Sequence, residues 1–137
     1  MRLFLAGLLL APLLALADDD TRVCSASTLK GDYGLIVNGT RTVGSVTENF
    51  VTLSLVTFDG KGGFTADGVS HGATTGVRKG PASGTYTVNA NCTGAWTTNI
   101  QGLPPLPAEI VIVDRGREVF ANAVSATEVS SGRARRK

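Results

Sequence analysis

The chain is predicted to be all-β: a single eight-stranded antiparallel up-and-down barrel carrying one disulfide. Three observations predict it. Past an apolar leader no segment holds a helical period, while Thr, Val and many of the seventeen Gly mark short alternating strands separated by turn signals. The strands number eight, at which a meander closes into a small barrel with a side-chain-filled or ligand-sized interior. Two cysteines, Cys24 and Cys92, stand in a chain that begins with an export signal. The alternative architecture is a β-sandwich, which would need a long Greek-key connection; only 73–82 and 101–108 offer one.

The leader comes first. Arg2 precedes the apolar run from Leu3, and Ala15-Leu16-Ala17 lies ahead of Asp18-Asp19-Asp20. One positive charge, an apolar core and a small-residue cleavage site read as a signal peptide over 1–17. The run falls short of the roughly 20 residues of a membrane span. A single domain over 18–137 follows, with a short N-terminal segment and a basic C-terminal end, destined for the periplasm or the medium. Thirteen Lys and Arg less Arg2, against eleven Asp and Glu, leave it at +1. Arg133, Arg135, Arg136 and Lys137 supply much of the positive charge at one end, so the basic residues are not spread over a folded face. Nucleic-acid binding is therefore not expected.

The strands follow in order. Gly31 to Gly39 sets Tyr33, Leu35 and Val37 on one face. Val46 to Phe58 is longer and ends in the hairpin loop Asp59-Gly60-Lys61-Gly62-Gly63. The return strand runs from Phe64 to about Gly72. A polar segment, 73–82, leads to Ser83 to Asn89, with Tyr86 and Val88 on one face. After the corner holding Cys92, Gly94 to Ile100 places Trp96, Thr98 and Ile100 together. Leu103-Pro104-Pro105-Leu106-Pro107 reads as an extended connection unable to continue a sheet. Glu109 to Val113 and Arg117 to Ala123 form a hairpin about Asp114-Arg115-Gly116, and Glu128 to Arg135 closes the chain.

The thiol in the Asn89–Thr93 corner is explained by pairing. Cys24 and Cys92 are 68 positions apart, and a bridge would pin the N-terminal segment to the sheet. Closing so long a loop is worth about 4 kcal/mol through the unfolded chain. A metal-binding pair would need neighbours that the sequence lacks, since there is no C-x-x-C and one histidine. No metal and no cofactor is expected.

These pieces resemble a family of small exported bacterial β-proteins. The resemblance rests on Cys24, Leu29-x-Gly31-x-Tyr33-Gly34, "TFDGKGGFT" at 57–65, "SGTYTVNANCTGAW" at 83–96, "VIVDRGREVF" at 111–120 and "SGRARRK" at the end. Its most specific part is Gly84-x-Tyr86-Thr87-Val88-Asn89-x-x-Cys92-Thr93-Gly94. It implies an exported β-protein and carries no reaction and no catalytic residues. At the level of fold alone, the barrel is similar to lipocalins and to allene oxide cyclase or dirigent barrels, and fold does not imply function.

Candidate chemistry is sparse. His71 shares a strand face with Asp67, but four positions at about 3.3 Å each hold the two side chains too far apart to bond. Asp59 and Asp114 fill turn positions where Asp caps its own backbone. No catalytic residue is assigned. Tyr33, Phe64, Tyr86, Trp96 and Phe120 lie on strands and are candidates to line a cavity for a small apolar ligand. Leu53–Phe58 and Ile110–Val113 are apolar on both faces, which marks them as candidate surfaces of a homo-oligomer. The basic C-terminus is a weaker candidate for contact with anionic lipid. Three functions follow: carriage of a small apolar ligand, an interaction or structural role in the envelope, and a cyclase-like barrel enzyme.

Overall fold

The computed structural model describes residues 22–137; the leader expected at 1–17 lies outside them. The fold is a closed eight-stranded antiparallel barrel whose strands follow one another in chain order. They are β1 (Lys30–Val43), β2 (Val46–Asp59), β3 (Gly63–Gly72), β4 (Gly76–Val88), β5 (Thr93–Asn99), β6 (Leu106–Val113), β7 (Glu118–Ala123) and β8 (Glu128–Arg136). β8 returns to β1, from Tyr33 opposite Arg136 to Arg41 opposite Glu128, and removes the free edges an open sheet would present.

Two expected boundaries are corrected. Residues 76–82, read from the sequence as a polar connection, are the first half of β4 and pair with β3 from Gly72 opposite Gly76 to Ala66 opposite Ala82. Their Gly, Lys and Pro content hides the strand because it is half an edge: β5 pairs with β4 only over Ser83–Val88. Lys79 and Pro81 lie on that free edge, where charge and a missing N–H discourage pairing with another chain. Pro107, expected to break the sheet, sits inside β6 opposite Thr97. Its carbonyl accepts from the Val124 N–H at 3.0 Å, just past the end of β7, so the proline still holds one backbone bond to the neighbouring chain segment.

Period-two alternation sorts the side chains. Tyr33, Val56, Phe58, Phe64, Tyr86, Trp96, Ala108, Ile110, Ile112, Val119 and Ala134 point inward and are buried, joined by Leu29 from the N-terminal segment. Phe58 is the hub: its ring meets Tyr33 edge-on at 5.1 Å and Tyr86 edge-on at 5.2 Å. Such pairs contribute about 0.5–1.5 kcal/mol beyond the area they bury. Asp67, Glu109 and Arg133 sit on the outer face, so the outside is not the apolar band of a lipid-spanning barrel. Among the described residues no helix is long and apolar enough to cross a membrane.

One end of the barrel is plugged. The segment before β1 makes a 3₁₀ turn, Ala26–Thr28, and tucks Leu29 fully inside. The Tyr86 hydroxyl lies 2.9 Å from the carbonyl oxygens of both Ala26 and Leu29. Tyr33 donates to the Gly116 carbonyl and accepts from Arg136 Nη2 at 2.9 Å. Arg136 lies 5.4 Å from the Tyr33 ring and also reaches the Thr28 carbonyl. Cys24 and Cys92 are bridged, with Cα atoms 5.0 Å apart, and the Cys24 N–H donates to Ala90. The C-terminal charges end a strand, and the Lys137 N–H donates to the Asp32 carbonyl.

Candidate functional site

The opposite end is open, and the open half is hollow because its inward positions are small. β3 contributes Ala66, Gly68 and Ser70, β4 Gly80 and Ala82, β7 Ala121 and Ala123, and β8 Ser130, Gly132 and Ala134. They enclose a cavity of about 590 Å³. Pockets for small organic ligands run from roughly 300 to 1,000 Å³. Phe58, Phe64 and Trp96 form its floor, Leu35, Val37, Phe50 and Val56 one wall, and Ile100, Leu103, Pro104 and Leu106 the facing rim. The rim is oblique: β1 and β2 run 14 residues each, whereas β7 has 6. The 100–105 connection lies along the low side.

The expected lining residues separate into three groups. Phe64 and Trp96 line the cavity. Tyr33 and Tyr86 lie below it, the Tyr86 hydroxyl bonded to the plug and the Tyr33 hydroxyl to the Gly116 carbonyl and Arg136. Burial raises the ionisation of Tyr86 above the usual phenolic range. Phe120 belongs outside: Val119 and Ala121 point inward, alternation turns the residue between them outward, and it is 46% exposed. There Phe120 lies beside Arg133, which pairs with Glu118.

At the open end a polar cluster had no counterpart among the sequence candidates. Gly44 opens a two-residue turn between Val43 and Val46, which sets Arg41 opposite Glu48 across β1 and β2. Glu48 is buried, with no accessible side-chain surface. Its carboxylate accepts from the Thr74 N–H at 2.7 Å, the Thr75 N–H at 2.8 Å, the Thr75 hydroxyl at 2.6 Å and Arg41 Nε at 3.0 Å. The Thr75 hydroxyl and these further donors hold its pKa down at about 2. Arg41 goes on to Ser70 at 2.9 Å and Thr75 at 3.2 Å, with its guanidinium 4.8 Å from the Phe50 ring. Gly72 makes room for this cluster, since a Cβ there would collide with the Glu48 carboxylate. The signal was legible in principle: a Gly-Ser turn fixes the hairpin register, and the register pairs 41 with 48.

His71 and Asp67 both occupy the outer face and take no part in the cavity. Among the described residues no group of three or more His, Cys, Asp or Glu gathers in a way that could hold a metal ion. The cavity can therefore be described as an apolar chamber with a polar mouth, suited to enclosing a molecule. No family model, no curated protein and no solved structure matches this chain.

Proposed function

We propose that the protein is an exported carrier that holds a small apolar ligand inside the barrel. The observation that carries this reading is the 590 Å³ cavity, floored by Phe58, Phe64 and Trp96 and kept empty by a run of Gly, Ala and Ser at inward positions. A barrel stabilised only by its own core would fill these positions, because unfilled interior forfeits contacts worth about 1 kcal/mol per missing methyl-sized group. The disulfide accords with an oxidising compartment outside the cytoplasm. Native mass spectrometry of protein purified from its own envelope, followed by solvent extraction, tests the reading. A stoichiometric small molecule released on denaturation is the expected result. Ala121→Phe, which places a ring into the chamber, should abolish that occupancy while the protein stays folded. An empty wild-type protein that also takes up no apolar probe would overturn the carrier reading.

A second reading, contact with a further copy or another envelope protein, draws on the outer surface. Ile36 and Leu53 are adjacent across β1 and β2, and Val51, Leu53 and Leu55 follow one another on the outer face, all at least 42% exposed. The sequence stretches named for this surface narrow accordingly. Leu53 and Leu55 of the first, and Val111 and Val113 of the second, face outward, whereas Val56, Phe58, Ile110 and Ile112 are core. Contact with an anionic membrane would have to use the end of β8, since its arginines belong to a strand.

A further inference from the structure

We infer that the carried molecule is an amphiphile with a single anionic head, a carboxylate or phosphate, seated at the mouth with its apolar body inward. The inference rests on the carrier reading and adds the chemistry of the ligand to it. The cavity changes character along its axis. Phe58, Phe64 and Trp96 lie at the floor, Ala66, Ala82 and Ala121 around the middle beside the hydroxyls of Ser54 and Thr98, and charged groups occur only toward the open end. Register sets their heights: Phe58 faces Phe64 near the plug, whereas Ser70 pairs with Arg78, and Arg41 with both Glu48 and Glu128, at the far end. A wholly apolar ligand would have no use for that gradient.

Cations dominate the mouth. Arg41 and Arg78 face into it, and Lys79 stands beside Arg78 on the outer side of the same bare edge. Glu48, which balances Arg41, is withdrawn from the cavity behind the Thr74–Thr75 turn, its carboxylate saturated by four donors. That arrangement fixes the guanidinium in place over Phe50 while using three of its five N–H donors, the other two having no partner among the described residues. A planar, pre-oriented fork of this kind matches a carboxylate or phosphate. Arg78 and Lys79 come from the half of β4 that has no β5 partner, so they border an opening in the wall as well as the rim. Glu128 is the one carboxylate in the lining, and it accepts a hydrogen bond from Ser130. Its charge opposes an anion, which places the head on the β3–β4 side of the mouth, nearest Arg78.

Calorimetric titration with dodecanoate, dodecanol and dodecyl phosphate, each below its micellar concentration at pH 7, tests the inference. At least one of the two anions should bind about tenfold or more tightly than dodecanol, the size expected of one charge-assisted anchor. Arg78→Ala/Lys79→Ala should shrink that ratio toward unity, and Glu128→Gln should enlarge it. The tighter of the two anions identifies the head. Dodecanol binding as well as both anions overturns the anionic-head inference and leaves the carrier reading standing. Failure of all three to bind counts against the carrier reading itself.

Discussion

At the residue scale, Glu48 shows how a buried charge is made tolerable. Four donors converge on one carboxylate, and one of them is itself a cation. The folded chain prefers its ionised form, which lowers the pKa from 4.5 to about 2. The sign of the consequence follows from linkage: the stabilisation is complete above pH of about 4.5, where the unfolded group is also ionised. It drains as pH falls toward 2. Asp59, held down by the Gly63 and Lys61 N–H groups, and Asp114, held down by Arg117, act in the same direction. Melting temperature should therefore decline between pH 4.5 and 2. Glu48→Gln should be less stable than wild type at pH 7 yet lose less over that acid interval. Parallel melting curves for the two proteins across the interval would show that this cluster does not set the acid response.

At the element scale, the outer apolar stripes raise the question of partners. β2 and β6 are four positions apart in a ring of eight strands, so their exposed residues look in opposite directions. A two-fold dimer can bury only one of the stripes, whereas a contact using both would join copies head to tail. The β1–β2 surface, with Ile36, Val51, Leu53 and Leu55, is the broader. Leu53→Lys should convert an assembly into a folded monomer, and Val111→Lys should do so only if both stripes are used. Sedimentation of the wild type as a monomer at high concentration would dispose of the proposal. Strands were the most legible elements in the sequence because alternation and turn residues agree over β1, β2, β3 and β8. Residues 76–82 escaped because an edge strand needs neither apolar faces nor a full set of donors. Phe120 was misplaced because a short strand with Val119, Phe120 and Ala121 in a row gives no alternation to orient it. The cavity was hidden for a different reason. It is made by absent side chains, and a Gly or Ala at an inward position looks the same in sequence as one in a turn.

At the scale of the whole molecule, the barrel is a vessel with a stopper, and the disulfide is part of the stopper. Cys24 ties the segment that carries Leu29 to the Asn89–Thr93 corner, while Tyr86 and Arg136 hold the same segment from inside and Tyr33 braces Arg136. Cys92 takes a left-handed conformation, φ 66°, at a corner position where Gly or Asn would be expected. A non-glycine residue there costs roughly 1–2 kcal/mol, against about 4 kcal/mol from closing a loop of this length. A glycine replacement removes the bridge and the conformational cost together, so Cys24→Ser/Cys92→Gly should lose about 2–3 kcal/mol of unfolding free energy, and Cys24→Ser/Cys92→Ala about 1–2 kcal/mol more. The damage should be local before it is global. Hydrogen exchange should quicken first at the Cys24 and Leu29 amides, which donate to Ala90 and Ala26, while the β1–β2 ladder stays protected. Equal stability of both variants with wild type, and unchanged exchange at Leu29, would mean that the tyrosines and Arg136 hold the stopper without the bridge. In the expected case, the closed end of the chamber rests on a covalent link as well as on the packing of Leu29, Tyr33 and Tyr86 around Phe58.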